Sequence, residues 1–242
     1  LKALMAKYPD ASVFGDTTTR SELLWMFMMY SGSQFVNRET GKCSFDSQEF
    51  VDLLEFMKQF PEEFDYSALP DDYWMNSQKA YRDGKILLMS LNISDVENYI
   101  TNVGMFGEPV TLIGFPAKEG NGAVITPNNV YMISSKSKNP DGAWQFLRYY
   151  LTDEYQKDSN DSWTLPIKKD ALKEKINKGT EKPYWINSDG GKEYYEYTTW
   201  LGDEEVTLDP LTQEQADDLY NYICSVTQAY YSDDSLSNII TE

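Results

Sequence analysis

The sequence predicts an α/β fold. Three observations support this class. Short apolar runs of strand length end at glycine or proline, as in residues 110–116. Amphipathic stretches with helix caps follow such runs, and the two kinds of segment alternate along the 242 residues. The clearest unit spans residues 110–151 and contains a strand, a loop, a second short strand at 129–133 and a helix.

The helix of this unit has a well-defined start. Asn139 is suited to cap it, Pro140 fits its first position, and Asp141 places negative charge at the positive end of the helix dipole. The spacing of the following apolar residues predicts that one face of the helix is buried. These residues are Ala143, Phe146, Leu147 and Tyr150.

Caps and apolar spacing also predict the elements that precede this unit. The helix at about 21–31 is apolar nearly all round and is expected to be buried. Residues 46–49 have the capping-box pattern, which predicts a helix with an apolar face. In chain order the predicted elements are a helix at 1–8, a strand at 11–14, helices at 21–31, after 46–49 and at 73–82, a buried strand at 85–90 and a short helix opening at 92–95.

Downstream of residue 151 the pattern is predominantly helical. Residues 153–161 continue helically, 162–166 are extended, and 168–178 form a helix expected to be exposed. The stretch 179–205 is the least regular, and a last long helix is predicted to start at 209–212.

Composition excludes several classes of function. A net charge of −18 disfavours nucleic acid and anionic membrane surfaces, and it favours a neutral ligand. The chain has no histidine, which excludes Ser-His-Asp and Cys-His catalysis. Two cysteines make a zinc site improbable, and no metal or other cofactor is expected. Cys43 and Cys224 are expected to be free, buried thiols, although a pairing in the fold stays open.

Two further features bear on location. The longest apolar run, residues 23–30, is too short to cross a bilayer. The chain opens Leu-Lys-Ala-Leu, without a signal peptide or lipid-attachment cysteine, which predicts a piece of a longer product.

Several local motifs follow one another along most of the chain. They are Gly41-Lys42 with residues 44–47, Ala80-Tyr81-Arg82-Asp83-Gly84-Lys85 before Leu87-Leu88-Met89, Gly114-Phe115-Pro116, residues 133–151, and 163–166 with 168–170. Each motif is weak alone, but in this order and spacing they resemble the extracellular solute-binding proteins of ABC importers, in the sugar-binding, maltodextrin-binding-like branch.

The resemblance implies a periplasmic-binding-protein-like (type II) architecture, in which a mixed sheet is flanked by helices and two hinged lobes are built from discontinuous domains. Residues 1–123 and 181–242 would form the C-terminal lobe, 124–128 the hinge, and 129–180 a returning segment of the N-terminal lobe. The first part of the family pattern is missing, so the chain is expected to carry about half of a binding cleft. The chain departs from the family at Asn92-Ile93-Ser94, where many sugar binders have Gly-x-Trp, which suggests a polar contact there.

Flat aromatic faces and planar polar groups are the side chains that recognise sugars. Arginine and free N–H groups at a helix start can hold ligand oxygens, and strand ends are where open α/β sheets bind ligands. The predicted ligand contacts are Thr19, Arg20, Trp25, Trp74, Asn92, Asp95, Asn128, Asn129 and Trp163. Helix capping, turn formation and core packing explain these residues as alternatives.

The combined prediction is a binding protein rather than an enzyme. It would trap a neutral solute, a mono- or oligosaccharide, between its lobes and deliver it to the membrane permease of an ABC importer. A monomer is expected, located in the periplasm or at the cell surface on a lipid-anchored parent. Two alternatives stay open: a glycan-active enzyme with paired carboxylates, and a cell-surface interaction module with residues 179–205 as an exposed aromatic contact surface.

Overall fold

The computed structural model describes residues 2–15, 17–37, 39–117, 120–127, 129–158 and 163–230. The chain divides into two compact units. Unit 1 comprises Leu1–Ser90, Leu112–Pro127 and Ser225–Glu242, and unit 2 comprises Leu91–Thr111 and Asn128–Cys224. The lobe limits expected from the resemblance stay a prediction.

Unit 1 contains four α-helices, two short 3-10 helices and one small hairpin among its described residues. In chain order the α-helices and strands are α1 (Lys2–Lys7), α2 (Arg20–Ser31), β1 (Val36–Asn37), β2 (Lys42–Cys43), α3 (Gln48–Met57) and α4 (Tyr73–Arg82). Strands β1 and β2 are antiparallel. The core forms where α2 meets α3, around Leu23, Phe27 and Met57, and Phe115 packs against it.

Two parallel bridges complete unit 1. Ser12 pairs with Ile86, and Ile125 pairs with Ala229. Of the strands predicted at 11–14 and 85–90, only the Ser12–Ile86 bridge and a few backbone hydrogen bonds around it form, and residues 86–89 are half-buried rather than buried. Both predictions of a regular strand are therefore wrong.

Unit 2 contains five α-helices, two short 3-10 helices and two antiparallel hairpins among its described residues. The α-helices are α5 (Val96–Val103), α6 (Pro140–Arg148), α7 (Asp153–Asp158), α8 (Lys169–Lys178) and α9 (Gln213–Ser225). The strands are β3 (Tyr184–Ile186), β4 (Lys192–Tyr194), β5 (Tyr197–Leu201) and β6 (Glu204–Leu208). β3 pairs with β4 and β5 with β6, so residues 179–205, predicted to be irregular, hold most of the strand structure.

The core of unit 2 lies between its helices and the second hairpin. Ile100, Ile176 and Leu219 are at most 1% exposed. β5 alternates between buried and more exposed positions along Tyr197–Leu201, as expected for a strand with one face on a core. Helix α8 was predicted to be exposed, and this is wrong because four of its residues are buried.

The α/β class is confirmed, but the sheets differ from the predicted single mixed sheet. The described residues form three separate two-stranded antiparallel sheets. Residues 110–116 and 129–133 form no strand, and Ile113 and Met132 are 66% and 86% exposed. Both segments were predicted as strands, and the first as a buried one, so these two predictions are wrong.

Helix starts are where sequence and structure agree best. Thr19 and Glu22 form a capping box on α2, and Ser47 caps α3 through the N–H of Phe50. Asn139 caps α6 by accepting from the N–H of Gly142, with Pro140 at the first helical position. The predicted burial of one face of α6 is wrong, because none of its residues is buried.

The two cysteines are free, and neither thiol is buried. Cys43 is exposed and Cys224 is half-buried. The prediction of free thiols is confirmed, and the prediction of their burial is wrong. Cys43 lies on β2, a two-residue strand with both positions exposed, which leaves its side chain no core to enter.

Candidate functional site

Thr19 caps the start of α2. Its Oγ1 accepts a hydrogen bond from the Glu22 N–H at 3.3 Å, and its own N–H donates to Glu22 Oε2 at 2.8 Å. Its hydroxyl also donates to the same carboxylate oxygen at 3.1 Å. Reciprocal bonds of this kind satisfy two N–H groups of the first turn. The capping alternative therefore accounts for Thr19 without a ligand.

Arg20 connects the start of α2 to the loop at 60–62. Its Nε donates to the carbonyl of Phe60 at 2.8 Å, and its backbone N–H donates to the carbonyl of Pro61 at 2.9 Å. One terminal nitrogen lies 3.5 Å from Glu62 Oε2, an exposed ion pair of little energetic weight. The remaining guanidinium donors face partly open surface, since 40% of the side chain is exposed.

The two tryptophans predicted in unit 1 differ in exposure. Trp25, one turn into α2, is 39% exposed and makes an edge contact with Tyr230, with ring centroids 6.3 Å apart. Trp74, near the start of α4, is 62% exposed and makes an edge contact with Tyr73 at 5.2 Å. Neither is a core residue, so both rings present apolar surface to solvent.

Asp95 and Asn92 lie close together in sequence but have different surroundings. Asp95 is 7% exposed and caps α5, accepting from the N–H of Asn98 at 2.8 Å. The hydroxyl of Ser94 lies 3.4 Å from its second oxygen. The side chain thus serves the helix, as the capping alternative predicted. Asn92 is exposed.

Of the two asparagines predicted at the hinge, the structure describes only Asn129. Asn128 lies outside the described residues. Asn129 is exposed, and it opens an extended stretch in which Val130, Tyr131 and Met132 are also exposed.

Trp163 is the most exposed of the predicted aromatic residues, at 80%. Its loop is anchored by two buried polar side chains that sequence reasoning missed. Gln156 Oε1 accepts from the N–H groups of Ile167 and Lys168, at 2.8 and 3.2 Å. Lys175 Nζ donates to the carbonyl of Thr164 at 2.8 Å.

Neither Gln156 nor Lys175 carried a clear signal in the sequence. Each lies on a predominantly polar helix, where such residues are normally solvated. They are nevertheless 6% and 7% exposed. Gln156 and Lys175 therefore fix the backbone of the loop at 163–168. The side chains of Trp163 and Ile167 remain exposed, Ile167 at 72%. Asp153 pairs with Lys168, and this contact lowers the pKa of its carboxyl.

The β3–β4 hairpin carries a second group of exposed aromatic residues. Trp185 is 57% exposed, stacks on Tyr195 with centroids 5.9 Å apart, and donates its indole N–H to Glu193 at 2.7 Å. The Asn187 amide also donates to Glu193, and these two bonds lower the pKa of that carboxyl, with the larger effect from Asn187. Tyr195 donates its hydroxyl to Glu97 at 3.1 Å, which ties the hairpin to α5.

The predicted residues thus fall into two groups. Thr19, Arg20, Trp25 and Trp74 belong to unit 1; Asn92, Asp95, Asn129 and Trp163 belong to unit 2. Within unit 1, the first three share the opening turns of α2. The described part of the chain holds no group of three or more Asp, Glu or Cys side chains placed to bind a metal ion. It also holds no helix long and apolar enough to cross a membrane.

Comparison with known proteins identifies the family. No curated protein matches the sequence. The family of bacterial extracellular solute-binding proteins matches residues 1–184. This span covers more than half of the 242 residues, and it includes the loop of Trp163 and the start of α2. The chain therefore belongs to the family of bacterial extracellular solute-binding proteins.

Proposed function

We propose that the chain belongs to the solute-binding component of an ABC importer, and that its ligand is a carbohydrate delivered to a membrane permease. The family match over residues 1–184 carries the proposal. Exposed aromatic rings at Trp25, Trp74 and Trp163 support a carbohydrate, because sugars stack their C–H faces on such rings. Binding without turnover is the proposed activity, and no cofactor takes part.

The proposed mechanism is a hinged trap. Residues 1–123 and 181–242 belong to one lobe of the parent protein, 124–128 to its hinge, and 129–180 to the other lobe. Ligand binding between the lobes favours the closed state, which the permease recognises. The parent acts as a monomer in the periplasm or, lipid-anchored, at the cell surface.

The exposed apolar surface of residues 129–151 supports this division. Helix α6 buries none of its residues, although Trp144 and Phe146 are 47% and 66% exposed. Residues 129–133 pair with no strand among the described residues. Large exposed apolar surfaces often mark an interface with another element or partner. We propose that the remaining elements of the second lobe pack against residues 129–151 in the parent protein and bury these side chains.

The proposed binding-site residues are the nine predicted from the sequence, and they contribute in different ways. Trp163 has the best-supported geometry, because its ring is exposed while Gln156 and Lys175 fix the loop that carries it. Asn92 and Asn129 are exposed amides able to donate to and accept from hydroxyl groups. The contribution of Thr19 and Asp95 is indirect, through the helix ends that they cap.

A thermal-shift screen of the full-length parent protein and of this chain, against mono- and oligosaccharides, tests the proposal. A sugar present at 100 times its dissociation constant stabilises the parent by about 2.7 kcal/mol. The parent's Trp163→Ala variant loses this shift, whereas Trp185→Ala, which removes another exposed ring of unit 2, keeps it.

Three results would contradict parts of this proposal. Turnover of a glycoside by the parent would favour the enzyme alternative. Nanomolar to low-micromolar sugar binding by this chain alone would refute the lobe assignment, since half a cleft cannot close on a ligand. The absence of any shift in the parent would refute carbohydrate binding.

A cell-surface interaction module is the second candidate, and the β3–β4 hairpin favours it. Trp185, Ile186 and Tyr194 are each about 60% exposed, which matches the aromatic contact surface that this alternative requires. Under this candidate no sugar stabilises the parent protein, and the thermal-shift screen separates the two functions.

A further inference from the structure

Unit 1 contains a groove of about 500 Å³ that none of the predicted ligand residues lines. It lies at the C-terminal end of α2, between that end, the β1–β2 hairpin and the start of α3. Its volume falls within the range of about 300–1,000 Å³ that small-molecule sites occupy. All of the residues that line it belong to unit 1.

The walls of the groove are fixed by packing. Tyr30 stacks on Phe115, with centroids 5.1 Å apart and rings inclined by 21°. Phe35, which also lines the groove, makes an edge contact with Phe50, with ring centroids 5.0 Å apart. Such aromatic pairs hold each ring in one orientation. Two flat rings therefore line the groove before any ligand arrives.

Other lining groups serve the fold and hold the groove in shape. Ser31 donates its hydroxyl to the carbonyl of Pro116 at 2.6 Å, which ties the end of α2 to the loop at 112–117. Ser47 caps α3, accepting from the N–H of Phe50 at 3.3 Å. These side chains are occupied, so they shape the site rather than offer bonds to a ligand.

Four other lining side chains are polar and are free to form hydrogen bonds with a ligand. Within the described part of the chain, the side chains of Ser33, Gln34, Glu49 and Gln228 make no hydrogen bond to the protein. Together they offer hydroxyl, amide and carboxylate groups, which can both donate to and accept from ligand hydroxyls. Glu49 is the charged member of the described lining and carries negative charge, which disfavours an anion.

We propose that this groove is a second binding site, for a neutral polyhydroxylated molecule of monosaccharide size. Preformed aromatic walls and free hydroxyl, amide and carboxylate groups are the combination that binds such ligands. The site lies within one unit and so needs no hinge closure, and it does not rest on the proposed cleft between lobes. Because the groove is open to solvent and buries a ligand only in part, we expect weak binding, with a dissociation constant on the order of 1 mM.

Saturation-transfer NMR on this chain tests the proposal, with glucose, galactose and maltose as probes. At least one probe gives a saturable signal with a millimolar dissociation constant. Ser33→Leu places an apolar side chain in the groove and reduces the signal at least tenfold, and Gln34→Ala weakens it less. Ser188→Leu is the matched control: Ser188 is exposed in the β3–β4 loop, so this variant keeps the signal. Unchanged circular dichroism shows that each variant is folded.

Two results would overturn the groove proposal. One is the absence of saturable transfer from every probe. The other is a signal that survives Ser33→Leu but disappears in Trp163→Ala, which would assign it to the proposed cleft instead. The thermal-shift screen of the parent protein does not depend on either result. The NMR experiment can therefore refute the groove proposal while the importer proposal stands, and the thermal-shift screen can refute the importer proposal while the groove proposal stands.

Discussion

Gln156 is the residue whose replacement tests most directly how the Trp163 loop is held. Its side chain is 6% exposed. Its amide donates to the carbonyl of Tyr150 at 2.8 Å, and its oxygen accepts from the N–H groups of Ile167 and Lys168. Gln156→Leu keeps a side chain of similar volume and removes all three bonds.

The expected loss of stability follows from the groups left without partners. A buried backbone donor or acceptor that loses its partner costs about 1–3 kcal/mol. The N–H groups of Ile167 and Lys168 lie in a loop that water partly reaches, which reduces their cost toward the lower limit. We therefore expect Gln156→Leu to lower the free energy of unfolding by about 2–4 kcal/mol.

Urea unfolding followed by circular dichroism and tryptophan fluorescence measures this loss. Gln213→Leu is the matched control in the same unit. Gln213 is exposed on the first turn of α9, and its amide makes two long hydrogen bonds of 3.3 Å, to Asn177 and Asp217. Its replacement changes the free energy of unfolding by less than about 0.5 kcal/mol.

Gln156→Glu separates the two roles of the side chain. A carboxylate still accepts from both loop N–H groups but cannot donate to the Tyr150 carbonyl. Its stability is therefore expected between wild type and Gln156→Leu. If Gln156→Leu unfolds within about 0.5 kcal/mol of wild type, the loop is not anchored by this residue and the reasoning is refuted.

Two further predictions concern backbone conformation and pH. Gly114→Ala is expected to lower the free energy of unfolding in urea by about 3 kcal/mol, and Gly41→Ala by about 1 kcal/mol. Both glycines have φ near +65°, but only at Gly114 would an added Cβ collide with the carbonyl oxygen of Asn121. Equal losses of stability in the two variants would contradict the collision. Burial, aided by Tyr195, Glu97 and Asp95, raises the pKa of Tyr197 to about 12. The unfolded state, with an ordinary tyrosine pKa of about 10, loses this proton first, so stability falls as the pH rises from about 10 to 12. Tyr197→Phe makes that fall shallower, and an unchanged slope of urea midpoint against pH would show that Tyr197 is not its source.

Helix starts could be predicted because their signals are local. Ser47 and Asn139 cap their helices through the N–H of a residue three positions on, and such contacts need no tertiary partner. Helix α4 begins and ends where the sequence placed it, at Tyr73–Arg82, with Gly84 in the left-handed region after it. For the same reason the capping alternatives for Thr19 and Asp95 were accurate.

Strands were predicted poorly because pairing depends on partners distant in sequence. Residues 110–116 have a strand-like composition, yet no described segment pairs with them in a regular ladder. The β5–β6 hairpin was missed although its signal is present. Tyr197, Thr199 and Leu201 alternate as inward residues, and Gly202, with φ of 71°, supplies the left-handed conformation of the tight turn.

The burial of α8 could not be deduced from its composition. Four of its ten residues are lysine, which favoured an exposed helix. Ile176 is nevertheless fully buried, and Lys175 is buried with it because its ammonium reaches the carbonyl of Thr164. A lysine buries its stem readily when the charged end finds an acceptor. Only the fold reveals that this acceptor exists, and the anchoring of the Trp163 loop was hidden for the same reason.

The stretch 129–151 shows a different kind of disagreement. Its sequence has the pattern of core elements, an apolar strand and an amphipathic helix, yet in this chain both are exposed. Wrong periodicity does not explain this, since α6 forms with its predicted cap and the ring of Tyr131 stacks on Tyr150 at 4.8 Å as two apolar elements should. Among the described residues no element covers these two segments. In the mechanism proposed above, the second lobe would cover them, which would make the sequence pattern and the exposed structure consistent with each other.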